Sequence, residues 1–316
     1  MWKYWKIKKK IIMENSEIKD NKKLDYLLST SILISSILIV GALVYGAGLK
    51  SANQDKIDSI TKKLEINFEK EIISEEGYEL PAKWGSLGKQ LVEIGVIDAN
   101  KFEMVYDSRG GLNDEDKKLL YGEDNGNLVI DKRNSGVILN LLWAFGLVNK
   151  NQILENGPMS DPQYGGAQNF ASTGGWTLAQ GGAMAHYSRH QLVVLTNDQQ
   201  KLVEEVSKNI YRPCCGNSTY FPDCNHGMAM LGLLEIMASQ GVSEEEMYRA
   251  ALIVNSYWFP DTYLTIAKYF ENRGVRWLEV NPKEVLGEAY SSALGYQKIL
   301  ESVEPQIQNN GGGCGI

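Results

Sequence analysis

The sequence predicts a mainly α fold in which a single N-terminal transmembrane helix precedes a helical extracytoplasmic domain with long glycine-rich and cysteine-rich loops. Two observations carry this prediction. One uncharged, apolar stretch of membrane-spanning length lies near the start of the 316-residue chain. Beyond it, apolar residues recur at helical spacing between capping residues and prolines.

The apolar stretch is residues 26–49, which contain no Asp, Glu, Lys or Arg and carry Tyr26 and Tyr45 near the two ends. As an α-helix it would be about 36 Å long, which exceeds the hydrocarbon core of about 30 Å. A cleaved signal peptide ending at residues 46–48 is the alternative, but the basic region and the apolar stretch are both longer than is typical of one. We therefore expect residues 26–49 to cross the lipid bilayer.

Charge predicts the orientation of this helix. Residues 1–25 carry eight lysines and four acidic residues, whereas the net charge of the whole chain is −7. Because positively charged flanks stay in the cytoplasm, we expect a single-pass protein of the cell membrane, with a cytoplasmic N-terminus and the bulk of the chain outside. The acidic remainder argues against a nucleic-acid partner, which would require a clustered basic surface.

The patterns divide the chain into five segments. They are a basic cytoplasmic segment (1–25), the transmembrane helix (26–49), an amphipathic stalk helix (50–80), a helical ectodomain (81–303) and a flexible glycine-rich tail (304–316). The stalk is predicted from apolar residues that recur at helical spacing between charged ones.

Several elements of the ectodomain are predicted individually. Residues 137–148 are apolar on almost every side, which predicts a buried central helix. Capping-box patterns begin helices after Thr196 and Ser243, and Pro282 begins a last helix that ends at about residue 303. A short strand is expected at 128–130.

A glycine-rich loop occupies residues 157–182 and carries the aromatic residues Tyr164, Phe170 and Trp176. Long loops in folded domains are usually functional or disordered, and aromatic side chains favour an ordered loop packed on the domain. We expect this loop to be a candidate surface for a protein partner. The sequence does not indicate an oligomeric state.

The cysteine-rich loop follows the pattern Cys-Cys-x8-Cys-x-His, and the other two histidines precede it at i, i+4 spacing. Thiolates with imidazole are typical ligands of zinc, and thiolates with thioethers and imidazole are typical of copper. If the stretch with the first two histidines is helical, both rings share one face. The expected ligands of a bound zinc or copper ion are Cys214, Cys215, Cys224 and His226, with His186 and His190 as the next candidates.

Two other functions fit the same residues. In an oxidising compartment, Cys214 or Cys215 would form a disulfide with Cys224, giving a disulfide-stapled interaction domain; a bond between the two adjacent cysteines would be strained. Alternatively, His226 activates Cys224 in a thiol-dependent enzyme, with Asp223 orienting the histidine. No Gly-x-Ser-x-Gly, His-Glu-x-x-His or Cys-x-x-Cys pattern indicates a reaction.

Overall fold

The computed structural model describes residues 62, 63, 66 and 68–303. The predicted cytoplasmic segment, transmembrane helix and tail lie outside the described residues. In the part of the chain that is described, none of the helices has both the length and the apolar character needed to span a bilayer. The chain separates into two compact units, Met1–Ile66 and Asn67–Ile316, and every element described below belongs to the second.

The described residues contain one antiparallel pair of strands, β1 (Tyr78–Gly85) and β2 (Asn125–Ile130). Strand β2 includes the predicted strand at 128–130 and confirms it. Strand β1 was not predicted, and the placement of a stalk helix up to residue 80 is wrong for its last residues, because the helical residues end at 72. The side chains of Leu80, Ala82 and Trp84 are buried in alternation, which is the period of a strand.

The rest of the described chain is mainly helical, as predicted. The first helices are α1 (Leu87–Glu93), α2 (Ala99–Asp107), α3 (Asp114–Tyr121), α4 (Ser135–Val148) and α5 (Gln152–Asn156). Helix α4 is buried along nearly its whole length and confirms the predicted central helix. After α5, the glycine-rich loop forms only short 3₁₀ turns.

The second half of the domain contains α6 (Asn197–Lys208), α7 (Asn225–Ser239), α8 (Glu244–Trp258), α9 (Pro260–Glu271), α10 (Pro282–Val285), α11 (Glu288–Ser291) and α12 (Ala293–Ser302). Both predicted capping boxes are present, before α6 and before α8. The predicted single last helix is instead three short helices. Gly287 and Ser292 are extended N-caps that interrupt it.

The centre of the core is the contact between α4 and α7, which is made close by two glycines. A Cβ atom at Gly146 would lie 2.2 Å from the carbonyl oxygen of Met228, and one at Gly232 would lie 2.7 Å from that of Leu142. The backbones therefore touch directly. Farther along, Asn149 at the end of α4 reaches Glu235 on α7, so the two helices run in the same direction.

Candidate metal centre

The cysteine-rich loop runs from the end of α6 to the start of α7 and is closed by backbone pairing. Tyr211 forms an antiparallel bridge with Ser218. The amide and the hydroxyl of Thr219 both donate to the carbonyl oxygen of Ile210, at 2.8 and 3.0 Å. Because the chain turns back on itself here, Cys214 and Cys215 return towards Cys224 at the start of α7.

Three cysteines and one histidine converge at this point. The sulfurs of Cys214 and Cys224 are 3.5 Å apart. Within the described residues, the side chains that gather within 4.8 Å in a metal-binding arrangement form two groups that share Cys224. One is Cys214, Cys224 and His226, and the other is Cys215, Asp223 and Cys224. Of the four first-choice ligands of the sequence prediction, Cys214, Cys224 and His226 therefore lie together, and Cys215 shares only Cys224 with them.

A buried arginine lies against the sulfurs. Arg212 is 1% exposed, and its Nε donates to the sulfur of Cys224 at 3.1 Å. Its Nη2 donates to a carboxylate oxygen of Asp223 at 2.6 Å and to the carbonyl oxygen of Phe221 at 3.1 Å. Since a guanidinium stays protonated in proteins, this contact places a permanent positive charge beside the thiol cluster.

The sequence leaves room for this arginine by placing a glycine in the first turn of α7. A Cβ atom at Gly227 would lie 2.5 Å from the guanidinium carbon of Arg212. The amide of Gly227 donates to the sulfur of Cys224, which is the N-cap of α7, at 3.4 Å. Cys224 thus sits at the positive end of the helix dipole, a position that favours a thiolate.

The pKa values of two thiols move in opposite directions. Side-chain hydrogen bonds with Cys214 and then Cys215, together with the charge of Arg212 and a hydrogen bond with His226, hold the pKa of Cys224 well below its usual value despite burial. For Cys215, the hydrogen bond with Cys214 lowers the pKa, but the hydrogen bond with Cys224 and burial outweigh it and raise the pKa to about 11. The surroundings therefore favour the thiolate form more at Cys224 than at Cys215.

His226 is held by aromatic side chains from the junction of α8 and α9. Its ring centroid lies 4.4 Å from that of Phe259 and 5.6 Å from that of Trp258. The ring is buried, and these contacts fix its plane next to Cys224. An imidazole held rigidly beside thiolates is prepared to bind a metal without losing side-chain entropy.

His186 and His190 are not part of this centre. Neither belongs to the two groups around Cys224, and the condition that the stretch be helical is not met: a 3₁₀ turn ends at residue 185 and His190 pairs with Asn149 in a parallel bridge. His190 is therefore held at the C-terminal end of α4 by Asn149, whose side-chain amide donates to Glu235. The helical rise of 1.5 Å per residue places Glu235 about 13 Å along α7 from His226.

Glu235 is a fully buried carboxyl group between α4 and α7. Its two oxygens accept hydrogen bonds from the side-chain amides of Asn149, at 2.5 Å, and Asn151, at 2.8 Å. These hydrogen bonds favour the ionised form, but burial is the larger influence and raises the pKa of Glu235 well above its usual value. Sequence reasoning missed this residue because an isolated Glu in an apolar helix gives no sign of its partners.

The glycine-rich loop packs against the cysteine-rich loop. The amide of Ser172 donates to the carbonyl oxygen of Asp223 at 3.1 Å. The rings of Tyr164, Phe170 and Phe221 form a three-membered cluster with centroids 5.3–5.4 Å apart. This loop therefore supports the backbone from which the thiol cluster is built.

Arg212 and Gly227 are the functional residues that the sequence analysis missed. The pattern Arg-Pro-Cys-Cys placed the arginine beside the cysteines, but nothing local showed that the guanidinium would be buried against Cys224. No protein family model, no curated protein and no solved structure matches this chain. The geometry of the site therefore carries the functional argument.

Proposed function

We propose that this protein is a membrane-anchored metal-binding protein that holds a zinc or copper ion with Cys214, Cys215, Cys224 and His226. The observation that carries the proposal is the grouping of donors around Cys224: Cys214 and His226 form one group with it, and Cys215 and Asp223 form another, with all donors of each group within 4.8 Å of one another. Cys214, Cys215, Cys224 and His226 would together supply the set of three sulfurs and one nitrogen that is common in structural zinc sites.

The spacing of the donor atoms supports the proposal. In a tetrahedral site with zinc–sulfur bonds of about 2.3 Å, neighbouring sulfurs are about 3.8 Å apart. The sulfurs of Cys214 and Cys224 are 3.5 Å apart, so this pair needs only a small movement. Zinc fits this set best; copper(I), which prefers sulfur ligands, is the other ion that fits.

The charges around the site support it as well. Three thiolates and a neutral imidazole around a divalent ion leave one negative charge. Arg212, buried and within 3.1 Å of the sulfur of Cys224, offsets part of that charge, since it also pairs with Asp223. A buried cation is stabilised only when its partners are present, and the metal–thiolate group would be one of them.

The metal content of the full-length chain tests the proposal. We would purify it in mild detergent with reductant and zinc, pass it over a desalting column, and measure bound metal by mass spectrometry. We expect one tightly bound ion per chain, which Cys224→Ser removes and Cys314→Ser, the variant of the fourth cysteine, retains. A wild-type chain that leaves the column without metal would contradict the proposal.

A second candidate function, thiol chemistry, is favoured by the lowered pKa of Cys224 beside His226. It requires the chain isolated from cells to be metal-free. It also requires Cys224 to react with iodoacetamide at least about tenfold faster than Cys215, because the thiolate is the reacting form. Bound metal would block this alkylation, so alkylation and metal analysis of chain purified without added zinc separate the two functions.

The alternative of a disulfide-stapled interaction domain requires a covalent bond between two of these sulfurs. The sulfurs of Cys214 and Cys224 would have to approach from 3.5 Å to a bonded distance of about 2.05 Å. Thiol counting in the denatured chain, isolated without reductant, would then give two thiols fewer than the four cysteines of the sequence. The metal-binding proposal expects all four thiols.

The membrane part of the proposal is supported by the uncharged stretch at 26–49 and the lysine-rich segment before it. We expect the chain to stay in the membrane pellet after alkaline carbonate extraction. The double variant Ile34→Lys, Leu38→Lys should release it, because each charge at the centre of a helix costs about 2.5–3.5 kcal/mol of insertion free energy. Ile34→Val, Leu38→Ile is the matched control, and extraction of the wild-type chain would contradict the proposal.

A further inference from the structure

The two histidines outside the cysteine cluster face each other through ring nitrogens. Nδ1 of His186 and Nε2 of His190 are 3.2 Å apart, and the rings are stacked with an interplanar angle of 26°. In a tetrahedral zinc site with zinc–nitrogen bonds of about 2.0–2.1 Å, two ligand nitrogens are about 3.3–3.4 Å apart. The pair therefore already has the separation of two ligands on one ion.

The backbone that carries the pair is held in place by the end of α4. The amide of His190 donates to the carbonyl oxygen of Val148 at 2.9 Å, and the carbonyl oxygen of His190 accepts from the amide of Lys150 at 2.7 Å. Between the histidines, the amide of Ser188 donates to the carbonyl oxygen of Leu147 at 3.0 Å. These bonds fix the two rings relative to each other before any ligand binds.

Ser188 also shows backbone strain. Its φ of +51° is the only positive value at a non-glycine residue within the described part of the chain. Its hydroxyl accepts a hydrogen bond from the amide of Asn151 at 3.1 Å. Left-handed backbone at a serine persists only where the surrounding contacts impose it, and such residues cluster at functional sites.

The surroundings of the pair suit a cation that exchanges with solvent. Both rings are half-buried, so one side stays open to water. The C-terminal end of α4 contributes the negative end of its dipole. Arg189, which opposes a cation, is exposed to solvent, where its charge is screened.

We propose that His186 and His190 form a second metal site, separate from the cysteine cluster, which binds a borderline divalent cation such as Zn²⁺ or Cu²⁺ and leaves its other coordination positions to water. On binding, the ring that donates between the facing nitrogens changes tautomer: its proton moves, through solvent, to its other ring nitrogen, so both facing lone pairs bind the ion and both rings stay neutral. Two imidazoles hold the ion more weakly than three thiolates and an imidazole, so this site fills second.

The test uses the full-length chain with isotope-labelled histidine, because the sequence has only three histidines. The three imidazole signals are followed by NMR during titration with Zn²⁺ in detergent and reductant. We expect the first equivalent to move the signal of His226. The next should move the signals of His186 and His190 together, with a dissociation constant of about 1–100 μM, in the range in which a site of few ligands exchanges readily.

Variants assign the second step. His190→Gln should abolish the zinc-dependent shift of His186, and His186→Gln that of His190. Arg189→Ala keeps both rings and should bind zinc as tightly as wild type or more tightly. The inference is overturned if neither signal moves by about 1 mM zinc, or if the shift of one histidine survives loss of the other. Since His226 reports on the cysteine cluster separately, failure of either site leaves the other result readable.

Discussion

Replacing Arg212 with methionine should destabilise the domain far more than the loss of any surface charge. The variant keeps most of the side-chain volume but removes the only cation that contacts both Cys224 and Asp223 among the described residues, at 3.1 and 2.6 Å. Both anions would then lie beside α7 without a counter-charge. Breaking a buried ion pair by removing one partner costs about 3–5 kcal/mol of unfolding free energy, and we expect a loss in that range for metal-free protein.

The matched control is Arg249→Met. Arg249 pairs with Glu245 at 3.0 Å, but its side chain is 57% exposed. An exposed pair one helical turn apart contributes no more than about 0.5 kcal/mol, so this variant should unfold at nearly the wild-type urea concentration. The comparison isolates burial, because the two substitutions change the same atoms.

The assay is urea unfolding of the full-length chain in mild detergent with reductant and chelator, followed by tryptophan fluorescence. Adding Asp223→Asn to Arg212→Met removes one of the two anions that Arg212 contacts. The double variant should therefore lose less unfolding free energy than the sum of the losses in the two single variants. The reasoning about the cluster is refuted if Arg212→Met costs less than about 1 kcal/mol, a loss that a surface ion pair could explain.

Three further predictions concern the core, the buried carboxyl group and the metal ligands. Gly146→Ala should lower the free energy of unfolding in urea by about 1–3 kcal/mol, because its Cβ would lie 2.2 Å from a carbonyl oxygen of α7. The control is Gly136→Ala in the same helix, whose Cβ would have nothing within 4 Å, so this variant should be neutral or stabilising. Equal effects of the two substitutions would refute the close contact. The pKa of Glu235 is raised well above its usual 4.5, so the folded chain keeps a proton that the unfolded chain releases. The free energy of unfolding should therefore fall by up to about 1.4 kcal/mol per pH unit as the pH rises above 4.5. Glu235→Gln should remove this slope, and an unchanged slope would contradict the raised pKa. Since the pKa of Cys215 is about 11, zinc must displace a proton from this thiol in order to bind it. Between pH 7 and 9, a plot of the logarithm of zinc affinity against pH should therefore have a slope that is smaller by one in Cys215→Ser than in wild type. Equal slopes would show that Cys215 is not a ligand.

The elements that could be predicted from the sequence are those set by local interactions. The capping boxes at Thr196 and Ser243 and the apolar run of α4 depend on neighbours within a few residues, and the structure contains all three. The grouping of Cys214 and Cys224 with His226 could also be predicted, because one short loop and the first turn of α7 carry all three residues.

What could not be predicted depends on contacts between distant parts of the chain. The i, i+4 spacing of the histidine pair would place both rings on one face only if the stretch were helical, but backbone pairing with the end of α4 makes residues 186–190 a loop with a left-handed Ser188. The sequence gives no sign that Gly227 makes room for Arg212, because that contact forms only when the loop closes onto α7. Strand β1 was missed because Pro81 interrupts its pattern of alternation.

The most direct test of the central claim is X-ray absorption at the zinc edge, on the full-length chain loaded with one equivalent of zinc. The account predicts a first shell of three sulfurs at about 2.3 Å and one nitrogen at about 2.0 Å. Cys224→Ser should lose this signature, and Cys314→Ser should keep it. A first shell of nitrogen and oxygen alone in the wild-type protein would contradict the claim that the thiol cluster is the metal site.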